Sequence, residues 1–561
     1  MNFSKWSILP SADKFEIRNI GYPNVESTLL SHRGINTARG AQNFLNPPLS
    51  TLHDPNLLLG MNECVQRLRY ALNHKEIIGV FGDFDTDGLT GTALLTKGLR
   101  KLGAQVYPYI PHRTDEGHGI SLESIEYFKE RNVGLLVTVD CGVTSFEEIS
   151  IASESGIETI VTDHHAPEHQ TPNAVAIINP SLPNSPYPFP YLTGVGTAFK
   201  VLEALYKSVE TELDDNLFAL VALGTISDVG NMRDENRSMC RKGIGVMRNH
   251  PIPGIDSLIE KSGLFKKRLS TEDLSFGIIP RLNVAGRLGH AKVSLQLLLS
   301  KDSTESNLIA DKLETLNRER QRVTERAFSE ARKQVEKDRR GGDLSIIFAG
   351  KQTWPAGILG LIAGRLAEEY RRPAVVASGE KNYFRASARS IPQFNMIEAL
   401  RSCGPIFEKY GGHPMAAGFT INRENLRPFR EKMSSIAAEL LDGLPRETTL
   451  EIEHEIPLSW LNRQSISFLH SLEPYGLNNP APIFMTKGVA VLDAKTVGKD
   501  KSHLKLTVEH CGTVLEAIAF RQGHRIKEAR GDIDVAYSGN LNYWNGNEII
   551  QLNIEDFRLA V

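Results

Sequence analysis

The stretch Ile77-Ile78-Gly79-Val80-Phe81-Gly82-Asp83-Phe84-Asp85-Thr86-Asp87-Gly88 decides the fold. An apolar run too short for a helix, Ile77 to Phe81, gives way to a cluster of glycine and aspartate, and a helical pattern follows from Leu89 to Leu102. The same unit recurs downstream. Val106 to Ile110 reads as the next strand, with a helix around Ser121 to Glu130. Leu135 to Val139 precedes a helix from Thr144 to Ser155, and Ile157 to Val161 is a further strand. Continuous apolar strands alternating with helices predict an α/β fold with a doubly wound parallel sheet.

Beyond this region, residues from about 197 to 340 read as mostly helical. Thr304 to Arg339 contains neither proline nor glycine and predicts one helix of roughly 50 Å at 1.5 Å per residue. Its polar faces suit a connector between domains. Residues 344–440 return to an α/β pattern, with strands at Ser345 to Phe348 and Ala374 to Ala377 around a helix from Ile358 to Tyr370. From about 446 the signals turn to β: Val489 to Val497, His503 to Glu509, Val514 to Phe520, Ile533 to Tyr537 and Ile549 to Ile554. Five strands with few helices predict a small β-barrel of the OB type. The expected layout is an N-terminal segment 1–70, a first α/β domain 71–235, a helical region 236–342, a second α/β domain 343–442 and a barrel 443–561.

Composition bounds the chemistry without choosing it. The 561 residues are 41% hydrophobic and 23% charged, the balance of an ordinary globular chain. No run of about 18 apolar residues offers a membrane span. Met1 to Pro10 lacks the basic-then-apolar layout of a signal peptide. Cys64, Cys141, Cys240, Cys403 and Cys511 stand singly, which argues for a reducing cytoplasm and against a disulfide framework or a thiolate zinc site. The net charge of −3 gives no hint of nucleic acid, although a basic groove can be local.

Three predicted parallel strands end in acidic or imidazole residues: Asp83, Asp85 and Asp87 after the first, Asp140 after the third, and Asp163-His164-His165 after the fourth. Ligands bind outside the carboxyl ends of such strands, so these groups are expected to converge. Clustered carboxylates repel unless a cation sits among them, and oxygen donors with imidazole suit Mn²⁺ or Mg²⁺. A calcium loop would need a bidentate Glu at its twelfth position, where the chain has Ala93 or Leu94.

These motifs resemble the first three of the DHH phosphoesterase superfamily, and Ala222-Leu223-Gly224-Thr225-Ile226-Ser227-Asp228 resembles its fourth. Pro280-Arg281-Leu282-Asn283-Val284-Ala285-Gly286-Arg287, Ser387-Ala388-Arg389-Ser390, Gly411-Gly412-His413 and Glu473-Pro474-Tyr475-Gly476 are similar to the RecJ branch of that superfamily. The resemblance runs in motif order from about residue 30 to the C-terminus. It implies a DHH domain and a DHHA1-type domain joined by the long helix, followed by the OB barrel. It implies Asp83, Asp85, Asp140, His164 and Asp228 as metal ligands, with Asp140 bridging two ions of Mn²⁺ or Mg²⁺. Two such ions would activate a water and stabilise charge on the phosphate. His165 is implied near the scissile phosphate, and Asp163 as the group that orients a histidine; Asp87 does the same or holds the turn. Smaller DHH enzymes carry a histidine four residues before the first motif aspartate, where this chain has Gly79, so one ion would have fewer protein ligands.

The same resemblance implies a phosphodiesterase that removes mononucleotides from the 5′ end of single-stranded DNA, in recombination and repair. Arg281 and Arg287, flanking Asn283, would meet phosphates, or else form salt bridges at a helix end. Arg113 with Ser387 and Arg389 resembles a pocket for the 5′-terminal phosphate, and His413 resembles a further phosphate contact. Relatives more often have Asn, Tyr and Asn where this chain has His112, His118 and Cys141. In the barrel, Lys499, Lys501, His503, Lys505 and Tyr543-Trp544 suggest single-strand binding, although such residues also fill ordinary barrels. Implied partners are single-stranded DNA, a single-strand-binding protein and a helicase, with the enzyme a cytoplasmic monomer away from membranes. The chain ends soon after the barrel, so a further C-terminal partner-binding domain is not expected. Two rivals are a DHH enzyme for short RNAs or cyclic dinucleotides, which is usually half this length, and an inactive scaffold relative, which would have lost ligands.

Overall fold

The computed structural model describes residues 3, 5–10, 21–167, 170–342, 344–379, 382–443, 449–498, 500–544 and 547–560. They form two compact units, one drawn from residues 53–230 and 239–445, the other from 1–52, 231–238 and 446–561.

The larger unit begins with a fully parallel sheet: β1 (Ile77–Gly82), β2 (Val106–Tyr109), β3 (Val133–Val139), β4 (Glu158–Thr162) and β5 (Ala176–Ile178), in the order β2-β1-β3-β4-β5. Burial of nearly every residue of β1 and β3 explains why these strands read as unbroken apolar runs. β5 was not expected, because three residues are too short to show a pattern. Helices α1 (Thr86–Lys101), α2 (Leu122–Lys129) and α3 (Phe146–Glu154) alternate with the strands. Helix α1 starts three residues before the sequence pattern suggested. Asp85 adopts an extended conformation and its side chain accepts from the backbone N–H of Asp87 and Gly88, so the acidic turn is itself the helix cap. A Cβ on Gly88 would lie 2.4 Å from the Asp83 carbonyl oxygen, so only glycine lets the turn close this tightly.

Helices α4 (Gly194–Ser208) and α5 (Leu217–Ser227) pack on α1, and α5 is apolar on all sides and almost wholly buried. A π-helical turn at Asp273–Ile278 leads into α6 (Ile279–Leu288). The expected long helix is α7 (Ser303–Arg339), 37 residues, capped by Asp302.

It leads to a second sheet of β6 (Ile347–Gly350), β7 (Ala374–Gly379), β8 (Tyr383–Arg389), β9 (Phe407–His413) and β10 (Ala416–Asn422), in the order β9-β10-β8-β7-β6, with α8 (Leu359–Tyr370) against it. Only β6 and β7 run parallel. The sequence showed the first two of these strands. β8 and β9 carry arginines, a Glu-Lys pair and two glycines, so they lack an apolar run.

In the smaller unit, β11 (Phe484–Val497), β12 (His503–His510), β13 (Thr513–Ala519), β14 (Asp532–Trp544) and β15 (Asn547–Leu559) follow the order β11-β12-β13-β15-β14, and pairing of β11 with β14 closes the barrel. Register shifts at Thr486/Val489 and Val491/Asp493 bend β11 so that one strand serves both neighbours. The chain's first strand, Lys5–Ile8, pairs in parallel with Thr449–Ile452. Nearby, the Arg33 guanidinium donates two bonds of 2.8 and 2.9 Å to Glu453, both residues buried. Among the described residues no helix is long and apolar enough to cross a membrane.

Candidate active site

The carboxyl ends of β1, β3 and β4 and the C-terminus of α5 place Asp83, Asp85, Asp87, Asp140, His164 and Asp228 in overlapping groups. One ligand atom from each of Asp83, Asp85 and Asp140 lies within 4.8 Å of the others, and the same holds for Asp87, His164 and Asp228, and for Asp140, His164 and His165. Asp140 stands at φ +60°, a left-handed conformation that turns its side chain back over the sheet end, where His164 Nε2 is 3.0 Å from its carboxylate. A Cβ on Gly194 would sit 2.5 Å from the Asp140 Cβ, so the helix start that faces this carboxylate must be glycine.

Asp87 does more than hold a turn. Its two oxygens accept from the N–H groups of Gly194 (2.7 Å) and Val195 (2.9 Å), the first amides of α4, and Oδ2 lies 4.0 Å from His164 Nε2. Desolvation, then the neighbouring Asp228 and Asp85, hold its carboxyl well above the usual range. Desolvation and the crowding carboxylates likewise raise Asp140, and desolvation with Asp83 raises Asp85. Asp228 is pushed up to about 7 by desolvation and by Asp85. A shared cation would relieve every one of these shifts.

The two histidines are set apart by Asp163. Its Oδ1 accepts from both their backbone N–H groups and faces His165 Nδ1 at 2.8 Å, while Oδ2 accepts from Val143 N–H. Asp163 therefore orients His165 rather than the His164 ring. Burial lowers the His165 pKa but the bond to Asp163 outweighs it, and the ring is raised to about 9. His164 is lowered to about 4 by desolvation and by His165, which keeps it neutral and fit to ligate. Buried Asp83 Oδ1 has no hydrogen-bond partner, and His118 Nδ1 is 3.3 Å from the other oxygen. Carboxylate oxygens, one neutral imidazole and an orphaned buried oxygen are the donor set a hard divalent cation takes. Gly79 has no room for the histidine of the smaller DHH enzymes, since a Cβ there would meet the Phe128 ring at 2.8 Å.

Next to the carboxylates the same unit gathers arginines. Arg113 lies 4.8 Å over the Phe84 ring, and a Cβ on Gly360 of α8 would come within 2.9 Å of the Arg389 guanidinium. Arg287 donates to the Gly357 carbonyl at 3.2 Å. Desolvation comes first in lowering all three, joined for Arg287 by Arg113, Arg320 and Arg389, which bring it to about 9. Ser387 lies two residues before Arg389 on β8, on the same face. His413, at the end of β9, stacks on His165 with centroids 5.9 Å apart. Two expected phosphate contacts are otherwise engaged. Arg281 is tied to Glu314 (2.7 Å) and to the Gly277 carbonyl, the salt bridge at a helix that was the alternative reading. Asn283 accepts from Thr86 N–H and so fastens α6 to the acidic turn. Sequence reading noted His118 only as a departure from relatives, without placing it beside Asp83, and missed the α4 amides and Arg320. The last sits inside the polar α7, where nothing but the spacing Asn317, Arg320, Thr324 marks a buried stripe.

In the barrel, Lys505 is paired with Glu516 and His503 accepts from Arg521 N–H. Lys501 is exposed, whereas Lys499 and the Tyr543 and Trp544 side chains lie outside the described residues.

Comparison with known proteins agrees with this geometry. The family model described as "DHH family, N-terminal domain" matches residues 77–225, that of the "DHHA1 domain" residues 343–439, and that of the "RecJ OB domain" residues 452–556. The chain is thus a DHH protein with its accessory and barrel domains in order. The single-stranded-DNA-specific exonuclease RecJ of Bacillus subtilis is 34% identical over 560 residues, covering 98% of this chain and 70% of that one. That of Haemophilus influenzae is 33% identical, covering 92% and 94%. The crystal structure of RecJ from Thermus thermophilus in complex with Mn²⁺ superposes with a TM-score of 0.85 at 29% identity, covering 99% of this chain and 80% of that one. Its Mg²⁺ complex gives 0.78 at 28% identity, covering 99% and 79%. This chain belongs to the RecJ single-stranded-DNA-specific exonuclease family.

Proposed function

We propose that this protein hydrolyses single-stranded DNA from its 5′ end, releasing mononucleotides. The observation that carries the reading is the adjacency, within one unit, of an acidic cluster fit for divalent cations and an arginine cluster fit for phosphate. Asp83, Asp85, Asp87, Asp140, His164 and Asp228 would hold Mn²⁺ or Mg²⁺, with Asp140, common to two of the groups, the bridging ligand. When bound, the ions supply positive charge against the phosphate oxygens of the scissile bond. His165, held protonated by Asp163, presents a donor beside that phosphate, and His413 flanks it. Arg113, Ser387, Arg389 and Arg287 hold the strand. An arginine fork suits a terminal phosphate, since it donates two charge-assisted bonds. A gripped 5′ end would present the first internal bond to the acidic cluster, which sets the polarity.

The layout of an N-terminal segment 1–70, DHH domain 71–235, helical region 236–342, DHHA1 domain 343–442 and OB barrel 443–561 accompanies this proposal. So do a cytoplasmic monomer and, as partners, a single-strand-binding protein and a helicase that would deliver unwound strands. A DHH enzyme of short RNAs or cyclic dinucleotides is disfavoured by the match to the RecJ OB domain. Digestion of strands labelled at either end, single and duplex, with Mn²⁺ or Mg²⁺, tests the reading. Mononucleotides should appear first from the 5′ label of single strands; release from the 3′ label, or equal rates on blunt duplex, would defeat it.

A further inference from the structure

Four arginines gathered beside the acidic cluster are largely withdrawn from water without an ion pair. Among the described residues no carboxylate forms a salt bridge with Arg113, Arg287, Arg320 or Arg389, while Arg281, nearly two turns before Arg287 on α6, is bound to Glu314. Arg320 comes from the middle of α7. Its side chain donates from one terminal nitrogen to Asn317 Oδ1 at 2.9 Å, and its Nε is buried without a partner. Asn317, Arg320 and Thr324 recur at helical spacing on one face, Asn317 and Thr324 are buried, and Thr324 Oγ1 also lacks a partner. Helix α7 packs on α6, which carries Arg287. Burial, then the Arg281 charge, depress the Arg320 pKa, and Arg320 in turn depresses Arg287. A half-buried guanidinium with a buried, unpartnered Nε and no carboxylate, feeling other guanidinium charges, costs stability unless an anion completes it.

We infer that Arg320 binds a backbone phosphate of the single strand, next to the terminal phosphate held by Arg113 and Arg389, so that the long helix forms part of the DNA track as well as joining two lobes. The inference rests on the proposed function. It gives Arg320 the phosphate contact that the sequence assigned to Arg281.

The test is fluorescence anisotropy of a 5′-phosphorylated single strand on the full chain in EDTA, across a range of NaCl, with thermal melting in anion-poor buffer. For Arg320→Gln, which keeps a donor for Asn317, the dissociation constant should rise about tenfold, as for a lost charge-assisted bond. The slope of log Kd against log salt should fall by about 0.7, one single-strand phosphate contact. Arg320→Lys should restore the slope, and Arg320→Gln should melt no lower than wild type, because a like charge has been removed. An unchanged salt slope in Arg320→Gln would overturn the inference, and a lowered melting temperature with that unchanged slope would make Arg320 a packing residue. If the wild type itself showed no salt-dependent binding, the proposed function would fall first and this inference with it.

Discussion

Two clusters within the larger unit differ in sign and in how they are built. The carboxylates sit on consecutive strand ends and helix caps of the parallel sheet, close together in the chain's own repeating pattern. The arginines come from a loop, from α6, from α7 and from β8, elements separated by up to 276 positions between Arg113 and Arg389. Each cluster has titration pushed toward neutrality, carboxyls upward and guanidiniums downward, because burial strips water from charges of one sign. The two sets are near each other but do not pair into salt bridges. That segregation leaves room for a cation on one side and an anion on the other, which is what a metal-dependent phosphoesterase holds together.

The comparison is broken most severely at Asp140. Asp140→Asn should lower turnover by at least about a thousandfold, roughly 4 kcal/mol of barrier, while the metal-free variant melts no lower than wild type. Asparagine is the substitution of choice because it tolerates φ +60°, where alanine would add strain of its own. Turnover within tenfold of wild type in saturating Mn²⁺ would remove Asp140 from the site.

On the cationic side, Arg389→Ala should raise the apparent KM for a 5′-phosphorylated strand about thirtyfold, a loss of about 2 kcal/mol of charge-assisted bonding. A 5′-hydroxyl strand should be affected far less. Equal loss on both substrates would detach Arg389 from the terminal phosphate.

Acid sharpens the contrast. Asp228, near 7, has a folded-state value above its unfolded one, so the stability it contributes is present at low pH and lost as pH rises through about 7. His165, raised to about 9, acts in the same direction, its contribution being lost as pH rises through 9. In EDTA the protein should therefore melt higher at pH 6 than at pH 8. Mn²⁺ needs the carboxylates ionised, and its affinity should fall about tenfold per unit below pH 7 for each proton released. Asp228→Asn should flatten both trends in calorimetry.

The smallest effect is expected at Arg281, already satisfied by Glu314. Arg281→Ala should change strand affinity less than about twofold, within the range of an uncontacted charge, and should instead lower the melting temperature.

How much of this was legible follows from the same contrast. The sheet, its acidic strand ends and the barrel could be read because each lies in a local pattern, an apolar run followed by a turn. Asp87 was read as orienting a histidine or holding the turn, and its partners, the amides of Gly194 and Val195, could not be seen because they lie over a hundred residues away. Arg281 was read as a phosphate contact or a helix-end salt bridge, and the choice could not be made in sequence because a motif names a residue type, while the carboxylate that claims it, Glu314, sits on a different helix. Strands β8 and β9 were invisible because exposed or half-exposed strands bearing charges carry no apolar run.

The smaller unit has a consequence in time. Its first strand pairs with Thr449–Ile452, and Arg33 is locked to Glu453, so its early segment meets its partners only after residues 53–445 have been synthesised. At about 5–20 residues per second that interval is on the order of a minute. Throughout it Leu29, Leu30 and Leu45, all buried in the finished core, have no barrel to pack against. The nascent chain thus emerges with an apolar face awaiting its own far end.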